Sequence, residues 1–449
     1  EFLSAQRARG LPPAEIAQIY AQWARTQPYE QRRFERALRH SDRVIREGAA
    51  ATLRGRTDGA SLPLIEIALQ DADDAVRRCA AQALRGRADG ASLVLIEKAL
   101  RDSDRYVRGL AAEALRGRNE SAALVLIELA LHDSIAFVVG EHAVEALQGR
   151  SDGASLALIE KMLRNPGGVF TTRSIRGYAA QALGGRMDSA SLALIEEALG
   201  DSDSFVRVHA ARALQGRNES AALTLIEKAL GDPEGLVRAG AAAALQGRDD
   251  GASLALIEKA MQDLAVGVRE SAVQALQGRT DSASLALIEK ALQDFHPFLR
   301  GRAAQALQGR NDGASMILIE KAFQDSNIAV RGYAIQALRG RTDSASLVLL
   351  ERALRDVEAV SLHAVQALLG RSDSASLALI ETAMRSSFPS VRAAAIEFLL
   401  VRTDVEAQAV GRRLLATPGL DSNLRFKLMK MVPPQTCFMR VLEQLSGAH

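Results

Sequence analysis

The stretch Gly278 to Asp294 reads "GRTDSASLALIEKALQD". Nearly the same seventeen residues return at Gly149 ("GRSDGASLALIEKMLRN"), Gly247 ("GRDDGASLALIEKAMQD") and Gly309 ("GRNDGASMILIEKAFQD"). The opening Gly-Arg pair stands at Gly55, Gly86, Gly117, Gly149, Gly185, Gly216, Gly247, Gly278, Gly309, Gly340 and Gly370, spaced 31 residues apart with local steps of 32, 36 and 30. Arg402 keeps the register without its glycine. A period sustained between 20 and 50 residues marks a solenoid, a propeller or an array. Within the phrase, Leu285, Ile288, Ala291 and Leu292 fall at helical spacing, and Val268, Ala272, Ala275 and Leu276 do the same in the stretch before it. Strand alternation is absent, so the unit is two helices.

The punctuation fits. Gly278 follows the second helix where a left-handed residue is wanted, and glycine takes that conformation at least cost. Asp281 is placed to cap the next first helix, whereas Glu120 and Glu219 at the same position are poorer caps. Asp294 marks the turn between the helices. The expected fold is all-α, an α-solenoid of about twelve repeats that bury a shared core none could bury alone. Residues 42–402 form the array, and the divergent ends, 1–41 and 403–449, are expected to be helical caps. Irregular layers are expected near 133–178. There "DSIAFVVGEH" carries one extra residue and puts Gly140 where other repeats have Arg, and "NPGGVFTTRS" carries five more. A milder break is expected at Ser361, which also replaces that Arg.

Composition narrows function mainly by exclusion. The 449 residues carry 56 basic and 54 acidic side chains, a net charge of +2, so nothing draws the whole chain to nucleic acid or a membrane. Only eight of the basic residues are Lys; we read this as a GC-rich coding bias and expect a bacterial source. Cys79 and Cys437 are isolated, which argues against a disulfide framework and fits a reducing compartment. No apolar run approaches the roughly 18 residues of a membrane span. The start "EFLSAQ" lacks Met, and an upstream export segment is a possible missing piece.

The stretches "DSDRYVRGLAAEALRG" (Asp102 to Gly117) and "DSDSFVRVHAARALQG" (Asp201 to Gly216) resemble HEAT repeats of the short, phycobilisome-lyase-like type. The resemblance implies that a turn Asp and the Arg six residues later bond along the stack. The matching pairs are Asp71 with Arg77, Asp102 with Arg108, Asp201 with Arg207, Asp232 with Arg238, Asp263 with Arg269, Asp294 with Arg300, and Asp325 with Arg331.

No catalytic constellation emerges. The Arg of each Gly-Arg pair, from Arg56 to Arg402, suggests a phosphate stripe, but each is followed two residues later by Asp or Glu, which cancels its field. The family includes an enzyme type with a di-iron centre built from His-Glu pairs; this chain has only the reversed Glu141-His142. Its histidines, at 40, 132, 142, 209, 296, 363 and 449, are scattered over different repeats, so neither a metal nor another cofactor is expected. Cys79 has no His in its own repeat. A base-excision role would need an unpaired basic groove, and none is seen.

What remains is the variation. First helices and Gly-Arg corners hardly change, while the turn and the start of the second helix drift. Of nine aromatics between Arg56 and Arg371, all but Phe323 lie in that window: Tyr106, Phe137, Phe170, Tyr178, Phe205, Phe295, Phe298 and Tyr333. With His209 and His363, which share the register of Tyr178 and Tyr333, they form the expected partner-binding strip, since aromatics dominate interface energetics. The expected function is a non-enzymatic scaffold for a protein or extended peptide, without nucleic acid, membrane or metal. The expected setting is a bacterial effector in the reducing cytoplasm, including that of a host cell after secretion. The alternatives are a bilin-lyase-like or chaperone-like enzyme and, behind it, a nucleic-acid-binding solenoid.

Overall fold

The structure is a computed structural model that describes residues 31–133, 136–164, 172–371, 373–400 and 405–415. The described residues hold 25 α-helices and no strand. They fall into two compact units, Glu1–Ala244 and Leu245–His449. Each unit is a solenoid of antiparallel helix pairs. In the first unit, for example, Gly90–Leu100 pairs with Arg105–Glu113 and Ser189–Ala198 with Ser204–Ala213. The second runs through Gly251–Ala260 with Val266–Ala275, Ser282–Ala291 with Pro297–Ala306, Gly313–Phe323 with Ile328–Gln336, and Ser344–Ala353 with Glu358–Leu368. Of the expected caps, Gln31–Leu38 and Val405–Leu415 are described; residues 1–30 and 416–449 lie outside the described residues.

Each part of the repeated phrase has a local job. All eleven glycines of the Gly-Arg pairs have positive φ, between 76° and 87°, which reverses the chain after the second helix. Asp281 accepts a hydrogen bond from the Ser284 amide at 2.7 Å and so caps Ser282–Ala291. Glu120 and Glu219 make no such bond, and their carboxylates turn instead to Arg118 (2.9 Å) and Arg217 (2.7 Å). The core row of Ser282–Ala291 is Ser284, Leu287, Ile288 and Ala291. Leu285, which the helical spacing placed on the buried face, is half-exposed, and Leu287 takes its place. The reason is that this helix packs on two sides, its own second helix and the neighbouring layer, so the buried stripe lies at i, i+3, i+4 and i+7. Second helices bury small residues, such as Ala272 and Ala275 beside Val268 and Leu276, which lets layers approach closely.

Three ladders tie the layers together. The innermost is the Gly-Arg guanidinium, which sequence placed in an ion pair with the acid two residues on. Its larger work is backward. Arg87, only 2% exposed, donates to the Arg56 carbonyl (2.7 Å) and the Ser61 hydroxyl (2.9 Å) of the preceding repeat, and to the Asp58 carbonyl (3.1 Å). Arg310 repeats this in the second unit, to the carbonyls of Arg279 (2.6 Å), Thr280 (3.0 Å) and Asp281 (2.7 Å) and to Ser284 (3.2 Å). The serine of the phrase is fully buried because it relays these bonds: Ser92 donates to the Asp89 carbonyl and accepts from Arg118. Where Glu replaces the capping Asp, at Glu120 and Glu219, Ala123 and Ala222 replace that serine.

The second ladder lies at the turns. Arg77 makes a two-pronged pair with Asp102 of the next repeat (2.8 and 3.0 Å) while donating to the carbonyl of its own Asp71 (2.9 Å). Arg207 with Asp232 and Arg331 with Asp356 do the same. The carboxylate therefore comes from the following repeat and the carbonyl from the Arg's own, which refines the pairing that the family resemblance implies. Planar guanidinium against carboxylate fixes angle as well as distance. The third ladder joins exposed faces of first helices, Lys161 to Glu128 at 2.7 Å and Arg352 to Glu320 at 2.9 Å. Such exposed pairs each contribute little.

Residues Ala136–Gly140 form a π-helical turn that leads into Glu141–Leu147, and this wider turn absorbs the extra residue. The inserted residues 165–171 lie outside the described residues. Beyond them Arg186, buried like its equivalents, bonds among the described residues only Ser155 of the preceding repeat, and burial lowers its pKa from the ordinary value. The innermost ladder is thinnest there. At Ser361 the hydroxyl turns inward to the carbonyls of Ala353, Leu354 and Asp356 of its own repeat at 3.1–3.2 Å, while Asp356 keeps its pair with Arg331 of the repeat before.

Replacing Arg310 by Ala strips four acceptors of one buried donor, and such uncompensated losses cost about 3–5 kcal/mol. Lys321→Ala, which removes an exposed rung to Glu289, is expected to cost less than about 1 kcal/mol. Denaturant unfolding of both variants measures the difference.

Candidate partner-binding surface

The residues of the drifting window sit on the turns and the first half of the second helices. In the first unit Tyr106 is exposed, and its ring lies between the guanidiniums of Arg78 (4.7 Å) and Arg105 (4.8 Å). Its hydroxyl accepts from Arg105 at 2.9 Å. Arg78 is clamped by Asp104, and this bond holds the Asp104 carboxyl down to about 2. Beside them runs a groove of about 310 Å³ lined by Gln82, Leu110, Val138 and His142.

A second cluster joins two layers of the same unit. The Phe205 ring stands 4.5 Å from His209 and 6.3 Å from Tyr178, edge-on to both. It occupies the space that Gly177 leaves empty: a Cβ on Gly177 would lie 2.3 Å from the ring. His209 is half-buried, and that burial, aided by Arg212, lowers its pKa below 6.5. The side chains of Phe137 and Phe170 lie outside the described residues.

The second unit repeats the interlock. Tyr333 covers Gly301 (3.1 Å to a Cβ there), and His363 covers Gly332 (2.8 Å) while its Nδ1 meets the Gln336 amide at 2.9 Å. Where the small residue is absent the contact changes chemistry: Glu270 faces Arg302 at 3.0 Å. Much of the drift is therefore matched pairwise between neighbouring repeats. Tyr178, Phe205, Tyr333 and His363 touch the next or previous layer, Phe205 keeping part of its ring exposed, and His209 packs on Phe205 of its own helix, whereas Tyr106, Phe295 and Phe298 stay open to solvent.

Phe295 is 82% exposed, and the residue at its register on the preceding turn, Leu264, is 97% exposed. Val266, Phe298 and Ile328 add further exposed apolar surface on the same three consecutive repeats. The guanidinium of Arg269 stacks over Phe295 (5.4 Å) and that of Arg302 over Phe298 (5.1 Å), while both are held by acids, Asp294 (3.3 Å) and Glu270. The expected strip includes the two phenylalanines but not the exposed Leu264, Val266 and Ile328, because it was drawn from aromatics and histidines. The overlooked signal was the loss of charge: the window segments "LAVG" (264–267), "FHPF" (295–298) and "SNIA" (326–329) carry neither acid nor Arg or Lys.

Nothing in the described residues resembles reactive machinery. Burial pushes the Cys79 thiol up to about 11, which leaves it protonated at neutral pH. Among the described residues no three His, Cys, Asp or Glu side chains converge as metal ligands, and no helix is long and apolar enough to cross a membrane.

Because the folded pKa of His209 lies below its unfolded value, its contribution to stability is full above about pH 6.5 and is lost as pH falls through the folded value. Replacing His209 with Gln is expected to remove this component. The gap in melting temperature between wild type and His209→Gln narrows from pH 7.5 to pH 5, as thermal scans across that range check.

The fold and surface can be set beside known proteins. Solved structures similar to this chain include the karyopherin Kap95p in complex with RanGDP (13% identity, 94% of this chain and 66% of that one, TM-score 0.47). Human deoxyhypusine hydroxylase is also similar (19% identity, 55% and 95%, TM-score 0.26), as is a homology model of the AP-3 complex (14% identity, 84% and 76%, TM-score 0.41). No curated protein sequence matches the chain. The model of the HEAT repeats family matches residues 30–116, 170–246 and 223–308, about half of the chain. With its two-helix layers and stacked Asp–Arg turns, the chain belongs to the HEAT repeat family.

Proposed function

We propose that this protein is a non-enzymatic scaffold that binds a protein partner through the drifting turns and second helices. The observation that carries the reading is the exposed apolar edge of the second unit, with Leu264 and Phe295 as its most open side chains. Soluble chains seldom leave large apolar side chains side by side in water without a use for them. Tyr106 in the first unit supports the same reading: its ring is already ordered between two guanidiniums, so little side-chain entropy is lost when a partner covers it. The interlocked residues serve this surface from behind by fixing the angle between layers.

The narrower reading, a bacterial effector engaging a host protein, rests on the Arg-rich composition and the two isolated cysteines. The repeat resemblance alone speaks for a bilin-lyase-like activity, and no arrangement in the described residues favours it.

A Leu264→Ser/Phe295→Ser variant removes the apolar edge without touching the core. Its unfolding free energy is expected to stay within about 0.5 kcal/mol of wild type. Affinity capture from host-cell lysate, quantified by mass spectrometry for wild type and variant side by side, is expected to show one or a few proteins lost by the variant. Equal capture by both would overturn the apolar edge as the binding surface.

A further inference from the structure

In the first unit every described turn of this register carries an acid beside the second helix: "ADDA" (72–75), "SDRY" (103–106), "SDSF" (202–205) and "PEGL" (233–236). Asp73, Asp104 and Asp203 cap their helices through the amides of Ala75, Tyr106 and Phe205. Glu234 makes no such bond, and in the second unit the helices Val266–Ala275 and Pro297–Ala306, which begin at Ala265 and His296, have neither an acid at that position nor a side-chain cap. Replacing a capping Asp by Ala ordinarily destabilises a helix. Two consecutive repeats have thus given up the acid as well as the cap at the place where Leu264 and Phe295 stand most exposed. Where local rules fail together, a functional cause is the usual reason.

We infer that the turn edge of residues 264–267, 295–298 and 326–329 docks an acidic, apolar peptide segment of a partner protein. The inference rests on the scaffold reading above and names the chemistry of its partner. Apolar side chains of the segment cover Leu264, Val266, Phe295, Phe298 and Ile328. Charge complementarity sets the rest. Of the turn acids of this edge, Asp263 accepts from the Ala265 amide, Asp294 pairs with Arg269 and Asp325 with Arg300, and the three segments themselves carry no carboxylate. Glu270 is held by Arg302. The uncapped helix ends carry partial positive charge, which favours Asp or Glu from outside and disfavours Lys or Arg. Layers packed 8–10 Å apart match the 10.5 Å between residues i and i+7 of a helix, so one amphipathic segment reaches consecutive turns.

The test selects a random 16-residue peptide library, displayed on phage, against the full chain. Enriched peptides are expected to combine Leu, Phe or Trp with net negative charge. They are expected to bind Leu264→Ser/Phe295→Ser at least about tenfold more weakly. An Ala265→Asp/His296→Asp variant restores the acids of the first unit; it is expected to melt higher than wild type yet to bind the same peptides more weakly. Basic peptides, or peptides indifferent to both variants, would overturn the inference, as would a library that yields no binder. So would self-association of the chain that disappears in Leu264→Ser/Phe295→Ser, since the occupant would then be a second copy. Each of these leaves lysate capture free to succeed, so this inference and the scaffold reading fail separately.

Discussion

The buried guanidinium of each Gly-Arg pair is the constraint on which the rest of the structure depends. It reaches across the layer boundary to carbonyls of the previous loop, some of which, like those of Asp58 and Asp281, it shares with the serine of that loop. A buried cation is costly unless its hydrogen bonds are filled and a carboxylate stands near. The phrase supplies both: at Arg310, four oxygen acceptors from the preceding repeat and the capping Asp312 from its own. This is why Gly, Arg, Asp and Ser recur together. Glycine turns the chain so that Arg points inward, Asp caps the helix and balances the charge, and Ser carries the bond to the next Arg.

A scaffold fixed in this way frees the other side of each repeat. Part of that freedom is spent on fitting neighbours: glycine under an aromatic ring at Gly301 with Tyr333 and Gly332 with His363, acid against base at Glu270 with Arg302. These matched pairs give nearly identical repeats individual neighbours, which resists slippage between equivalent layers. The rest is spent outward, most visibly at Leu264 and Phe295. On the proposed function, stability and recognition are thereby carried by different residues of the same repeat.

The fold was legible because its signals are periodic and local: the 31-residue step, the helical spacing, the glycine at each helix end. The irregular layers were legible for the same reason, as a count of extra residues that a π-turn absorbs at Ala136–Gly140. The exposed apolar edge was only partly legible. Aromatic type alone cannot separate Tyr333, whose ring is spent on Gly301, from Phe295, which faces water, because the difference lies in the residue of the neighbouring repeat. The role of Ser284 was hidden too, since its partner is an Arg 26 residues away. Leu285 was misplaced because a helix with two packing sides has two candidate stripes, and spacing does not choose between them.

The central claim is that the repeated phrase is interchangeable scaffold and the drift alone carries recognition. The most direct test replaces the phrases beginning at Gly247, Gly309 and Gly340 with the one at Gly278, leaving every turn and second helix untouched. The expected result is cooperative unfolding within about 1–2 kcal/mol of wild type together with unchanged capture of the partner. Loss of partner binding in a chain that still folds would place recognition in the first helices and contradict the account.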